Sequence, residues 1–190
     1  ELQRIFNAID SGELAQNKIL QAAFEQAKTG GKLHIMGLVS DGGVHSHTRH
    51  LKALCQLAIE AGVDKNKLFV HAFTDGRDTD PKSGVKYVGD LDAFLKSNGG
   101  RIASVVGRYY AMDRDKRWER IKKAYDLLVH GTGQAFTSAT EAIEASYAAG
   151  VTDEFIEPAV LTDENGQALA TIAEGDTVIC FNFRTDRCRQ

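Results

Sequence analysis

Leu33-His34-Ile35-Met36-Gly37-Leu38-Val39, running directly into Ser40-Asp41-Gly42-Gly43-Val44-His45-Ser46-His47, decides how this chain folds. Seven nearly continuous apolar residues suit a strand covered on both faces, the condition of a parallel sheet between helix layers. Beyond the glycine loop, Leu51, Leu54, Ala58 and Ala61 form one helical stripe, which predicts a helix over 46–61 ended by Gly62. Upstream, Leu2, Ile5, Phe6 and Ile9 predict a helix over 1–9. Leu20, Ala23, Phe24 and Ala27 predict a second over 13–28. Downstream, strands at 68–73 and 102–106 alternate with helices at 83–97, 115–129 and 138–149. Ala159 to Thr162, Asn165-Gly166 and Ala168 to Ile172 read as a hairpin, and Thr177 to Phe183 as a last strand. The expected fold class is α/β: a three-layer α/β/α sandwich whose mainly parallel sheet carries a late antiparallel hairpin.

Composition narrows the partners. Of 190 residues 43% are hydrophobic, 26% are charged and only 2 are proline, which excludes collagenous and disordered classes. With 23 Lys+Arg against 26 Asp+Glu the net charge is −3, so nothing global favours nucleic acid or an anionic membrane. No apolar run reaches the ~18 residues of a membrane span. Three cysteines, Cys55, Cys180 and Cys188, without a CxxC pair, fit a reducing cytoplasm. The first residue is not Met and the chain stops inside a charged turn, so a segment of a longer polypeptide is expected.

Cationic chemistry is local instead. Of eleven arginines, five follow predicted strands: Arg77, Arg108, Arg114, Arg184 and Arg187. Ligands of open α/β sheets bind outside the strand carboxyl ends, so these three loops should meet there around an anion. Arginine donates paired hydrogen bonds to phosphate or carboxylate, each charged bond contributing ~1.5 to 3 kcal/mol net. The alternative is that each arginine pairs locally with Asp75, Asp78, Asp113, Asp115 or Asp186. The glycine loop adds His45 to the same edge, and Val44 or Ser46 should open a helix whose first N–H groups favour an anion. His45 and His47 with Asp41 could also hold Zn²⁺ or Mn²⁺. Asp78 stands among anion-binding residues, where it could exchange a proton with a ligand hydroxyl or simply orient Arg77 or Arg108.

Four stretches together resemble one family, the cofactor-independent (2,3-bisphosphoglycerate-independent) phosphoglycerate mutases. They are Leu38 to His47, Asp75-Gly76-Arg77-Asp78, Gly107-Arg108-Tyr109-Tyr110-Ala111-Met112-Asp113-Arg114-Asp115-Lys116-Arg117-Trp118, and Asn182-Phe183-Arg184-Thr185-Asp186-Arg187. The resemblance implies interconversion of 3-phosphoglycerate and 2-phosphoglycerate in glycolysis through a phosphoserine. It implies that residues 1–190 are most of an inserted substrate-binding domain, incomplete at its C-terminal end. The serine and two Mn²⁺ ions would belong to a phosphatase-like domain absent from this chain, which itself would supply no metal ligand. Carried onto this sequence, the substrate contacts are His45, Arg77, Asp78, Arg108, Arg114, Arg184 and Arg187, with Asp78 as catalytic proton shuttle. Alone, the polypeptide is expected not to turn over. Two other readings stay open: a non-catalytic phosphometabolite sensor, and a metal phosphohydrolase built on Asp41, His45 and His47.

Overall fold

The computed structural model describes residues 1–189. Its six-stranded sheet has the order β4-β5-β3-β2-β1-β6, with β1 Leu33–Leu38, β2 Leu68–Thr74, β3 Arg101–Gly107, β4 Gln134–Phe136, β5 Ala159–Leu161 and β6 Thr177–Cys180. Strands β1, β2, β3 and β6 run parallel, whereas β5 is antiparallel to β3 and parallel to β4. The chain steps from β1 to β2 to β3 in one direction, and β6 then returns to the other side of β1. A topological switch point therefore lies between β1 and β6, with a crevice at the carboxyl ends where the connections diverge.

Alternation explains the long apolar strands. Leu33 and Ile35 of β1 join Leu68 and Val70 of β2 in a core shared with helices α2 Lys18–Thr29, α3 Thr48–Glu60, α4 Gly84–Asn98 and α7 Ala139–Ala148. Leu38 and Phe73 point the other way, toward α5 Arg108–Ala111 and α6 Trp118–His130. Phe69 and Ala103 meet Ala170 on that second side. The central strands β1, β2 and β3 are thus covered on both faces, and the α/β sandwich follows. Among the described residues no helix is long and apolar enough to cross a membrane.

On the second face a polar chain crosses three strands. Asp176, just before β6, accepts from Lys32 N (2.6 Å) and meets His34 Nε2 at 3.0 Å. The other nitrogen of His34 lies 2.8 Å from His71 Nε2, and His71 Nδ1 lies 2.7 Å from Ser104 Oγ. Neutral rings satisfy every link when Ser104 donates to His71, His71 to His34, and His34 to Asp176.

Several expected boundaries move. The helix over 13–28 divides into a 3₁₀ turn, Glu13–Gln16, and α2, because Asn17 Oδ1 accepts from Ile19 N (2.9 Å) and Leu20 N (3.1 Å). Helix α1 spans Leu2–Asp10. The helix expected to open at Val44 or Ser46 starts at Thr48, since Ser46 Oγ donates to Leu38 O (2.5 Å) and His47 Nδ1 accepts from Arg49 N (3.0 Å). In the hairpin the Asn165-Gly166 turn forms, but its second arm contributes only the bridge between Thr162 and Ala168, and β5 makes its antiparallel ladder with β3. The last strand stops at Cys180. Its continuation leaves the ladder, with Phe183 N donating to His45 O (2.8 Å).

Candidate functional site

Two backbone approaches shape the crevice. A Cβ on Gly107 would lie 2.3 Å from Glu154 O and 2.7 Å from Ile156 N, so only glycine lets β3 end against the 3₁₀ turn Asp153–Phe155. Arg108 follows at once, in the first turn of α5 where a loop was expected. A Cβ on Gly37 would meet the Phe181 ring at 2.7 Å, so β1 can lie beside residues 181 and 182. Asn182 Oδ1 then accepts from Leu38 N (2.9 Å), tying the 181–187 segment to β1.

Arg108, only 2% exposed, is the centre. Its Nη1 donates to Asp75 Oδ1 (2.7 Å) and Asp78 Oδ2 (2.6 Å), and its Nη2 donates to His45 Nε2 (3.1 Å). Three connections, after β1, β2 and β3, thereby share one guanidinium. Burial opposes the Arg108 charge, and Asp78 and Asp75 outweigh it, holding the group above its ordinary value. Asp75 organises the rest, accepting from Ser40 Oγ (2.6 Å), Asp78 N (2.9 Å) and Arg77 N (3.2 Å). Burial raises its carboxyl, but the Ser40 hydroxyl, the Asp78 amide and Arg108 outweigh burial and hold it below the usual range.

The fourth connection, after β6, closes the crevice. Arg114 Nη1 donates to Asp186 Oδ2 (2.9 Å), and Arg184 Nε lies 2.9 Å from Asp186 Oδ1. That oxygen is 3.9 Å from His45 Nδ1. Arg187 Nη1 donates to the Met112 carbonyl (2.8 Å). Burial, then repulsion from Arg108, Arg114 and Arg77, lowers the Arg187 guanidinium from its ordinary value, so these four cations stand within electrostatic range. Arg77 forms the half-exposed rim, 3.7 Å from Glu154.

Beside this arginine group, two buried donors have no acceptor among the described residues. Because His45 Nε2 accepts from Arg108, its proton sits on Nδ1. Both His45 Nδ1 and Arg187 Nε are buried without a hydrogen-bond partner. Burial, then the Arg108 charge, lowers the His45 ring below its ordinary value, so it is neutral near pH 7. Buried donors normally find acceptors. An anion in the crevice would supply them.

Of the seven residues expected to bind substrate, His45, Asp78 and Arg108 share direct contacts, while Asp186 links Arg114, Arg184 and His45. Arg77 and Arg187 join the group through field and not through a shared hydrogen bond. Local pairing and convergence both hold, since Asp75, Asp78 and Asp186 pair with arginines without dispersing them. Asp113 pairs with a different arginine, Arg120 (3.4 Å), and accepts from Asp115 N (3.0 Å) and Arg117 N (2.9 Å). In sequence Asp75 marks itself only as a possible arginine partner. The Asx pattern three residues before Asp78 could have marked it as the organiser.

The metal alternative fails on geometry. Asp41 accepts from Tyr87 OH (2.5 Å), His45 faces Arg108, and His47 caps α3 and packs on Phe6 at 4.9 Å. Among the described residues no group of three His, Cys, Asp or Glu side chains is disposed to hold a metal ion.

Fold and site define a doubly wound α/β domain with a group of arginines beyond the carboxyl ends of its strands, beside the switch point. The family described as BPG-independent PGAM N-terminus matches residues 5–190, and the chain belongs to it. It is 56% identical over 191 residues to the 2,3-bisphosphoglycerate-independent phosphoglycerate mutase of Flavobacterium johnsoniae, covering all of this chain and 37% of that protein. The corresponding protein of Thermomicrobium roseum is also 56% identical, with 36% of its length covered. A crystal structure of Leishmania mexicana phosphoglycerate mutase at low cobalt concentration superposes with a TM-score of 0.89 and 36% identity, over 98% of this chain and 35% of that one. The chain thus spans little more than a third of these relatives' length.

Proposed function

We propose that this chain is the substrate-binding domain of a cofactor-independent phosphoglycerate mutase, holding 3-phosphoglycerate and 2-phosphoglycerate while the phosphoryl group moves between their hydroxyls. One observation carries the reading: arginines from three connections and the neutral His45 from a fourth gather where His45 Nδ1 and Arg187 Nε are buried donors without acceptors. Arg77, Arg108, Arg114, Arg184 and Arg187 hold the phosphate and carboxylate, and the neutral imidazole of His45 donates through Nδ1. Asp78, whose Oδ2 is held by Arg108 at 2.6 Å, takes the proton of the attacking glycerate hydroxyl and returns it in the reverse half.

The remaining length of the relatives gives room for a second domain carrying the nucleophilic serine and two Mn²⁺ ions. The residues described here do not form a site for those ions, and no step of this chain is routed through them. Positioning and charge stabilisation are its contribution to catalysis. With its net charge of −3 and localised cations, the domain works as a cytoplasmic small-molecule binder, with no nucleic acid or membrane among its partners.

Titration of the chain with 3-phosphoglycerate by calorimetry tests the reading. Saturable one-to-one binding that weakens as salt rises is expected, because several guanidinium groups contribute through screened charge. Heats no larger than those for glycerol would sink it.

A further inference from the structure

Cys180 and Cys188 flank the segment that carries Arg184 and Arg187, and their sulfurs are 3.9 Å apart. Cys180 ends β6, Cys188 closes the 3₁₀ turn Thr185–Arg187, and both are exposed. They border a groove of about 230 Å³ that Met36, Met112, Tyr125 and Asn182 also line, wide enough to admit a small oxidant. The hydrogen bond from Cys180 and another from Asn182 stabilise the Cys188 thiolate, bringing that thiol down to about 6. The same contact pushes Cys180 up and keeps it protonated. A reactive thiolate therefore stands beside a resolving thiol near pH 7. Cys55 is the opposite case, buried in α3 with its thiol pushed up to about 12 by desolvation.

We propose that Cys180 and Cys188 are a redox modification site that a peroxide closes into a disulfide, weakening the grip of the adjacent arginines on their anion. The weakening, unlike the closure, rests on the phosphoglycerate reading above. The Cys188 thiolate attacks hydrogen peroxide, an S–O bond forms, the O–O bond breaks, and the departing hydroxide takes up a proton as water. Cys180 sulfur then attacks the sulfenic sulfur, an S–S bond forms, the S–O bond breaks, and the Cys180 proton leaves with the hydroxide as a second water. Two thiols are oxidised and one peroxide is reduced.

A disulfide needs sulfurs ~2.05 Å apart, so the pair must approach by roughly 1.9 Å. Cys180 is held in the ladder opposite Met36, whereas Cys188 follows a single 3₁₀ turn. The displacement falls on residues 185–188 and moves Arg187 from the Met112 carbonyl that now orients it. A misplacement of ~1 Å can cost as much as ~100-fold where positioning matters, and about tenfold weaker binding is expected here.

The chain is treated with hydrogen peroxide, digested after arginine and analysed by mass. Cleavage at Arg184 and Arg187 separates the two cysteines, so a disulfide shows as joined peptides lighter by two hydrogens, split again by dithiothreitol, while Cys55 stays alkylatable after denaturation. Calorimetry with 3-phosphoglycerate before and after treatment should show the affinity loss, its recovery with dithiothreitol, and no peroxide-dependent disulfide in Cys180→Ser. Unjoined peptides would overturn the redox site. Joined peptides with unchanged affinity would overturn the coupling. If the reduced chain does not bind 3-phosphoglycerate at all, the functional reading and the coupling fall together, while the mass measurement still decides whether the disulfide forms.

Discussion

Arg108 and Asp78 touch each other at 2.6 Å, yet their proposed roles differ and so should their variants. Arg108→Ala removes the hub of three connections and leaves Asp75 and Asp78 without their cation, so phosphoglycerate binding should fall by about 100-fold, the equivalent of two charged hydrogen bonds. Asp78→Asn retains shape and an acceptor oxygen but cannot take a proton. In the complete enzyme it should lower kcat at least about 100-fold with little change in KM. Steady-state kinetics and calorimetry on both variants check this, and equal, mild effects would refute the assignment. The arginines and His45 were legible because their chemistry is carried by residue type and by position after a strand. The role of Asp75 was not, since a carboxylate that accepts two backbone amides, a hydroxyl and a guanidinium looks in sequence like any loop acid.

Among the elements, the end of β3 shows most clearly how backbone packing places a functional group. Gly107→Ala would drive a Cβ into the Glu154 carbonyl and the Ile156 amide, neither of which can swing aside as a flexible side chain would. Overpacking of this kind costs ~1 to 3 kcal/mol, and here it also displaces Arg108. Chemical denaturation should report that loss together with weaker anion binding, and native stability would count against the packing account. The parallel strands and long helices were readable because seven-residue apolar runs and four-turn stripes repeat a pattern several times. Elements of three or four residues, β4 and α5, hold barely more than one repeat, too few for such a signal. The late start of α3 has a tertiary cause: the Ser46 hydroxyl, a plausible cap by type, is taken by the Leu38 carbonyl eight residues earlier.

At the scale of the whole molecule, the fold buries histidines that the anion site does not use, His71 in β2 and His50 in α3. Burial, then the His34 charge, brings His71 down to about 3, and burial with the His47 and Arg49 charges brings His50 down to about 4. Unfolded histidine titrates near ~6.5. The fold therefore favours neutral rings, and the unfolded chain takes up the additional protons as pH falls. Stability is complete above pH ~6.5 and declines toward pH ~4, by up to ~1.4 kcal/mol per pH unit for each ring. Urea midpoints should drop between pH 7.5 and 5, and His50→Leu, which replaces a ring whose nitrogens are both unpartnered, should lessen the drop. A midpoint unchanged over that range would contradict the burial argument. The switch point joins this scaffold to function, because β6 returning beside β1 brings Arg184 and Arg187 to the crevice occupied by His45 and Arg108. A crystal structure of the chain grown with 3-phosphoglycerate examines that convergence most directly. The ligand should lie between Arg108 and Arg187, its anionic oxygens accepting from His45 Nδ1 and Arg187 Nε. A ligand bound elsewhere, with those two donors still lacking acceptors, would contradict it.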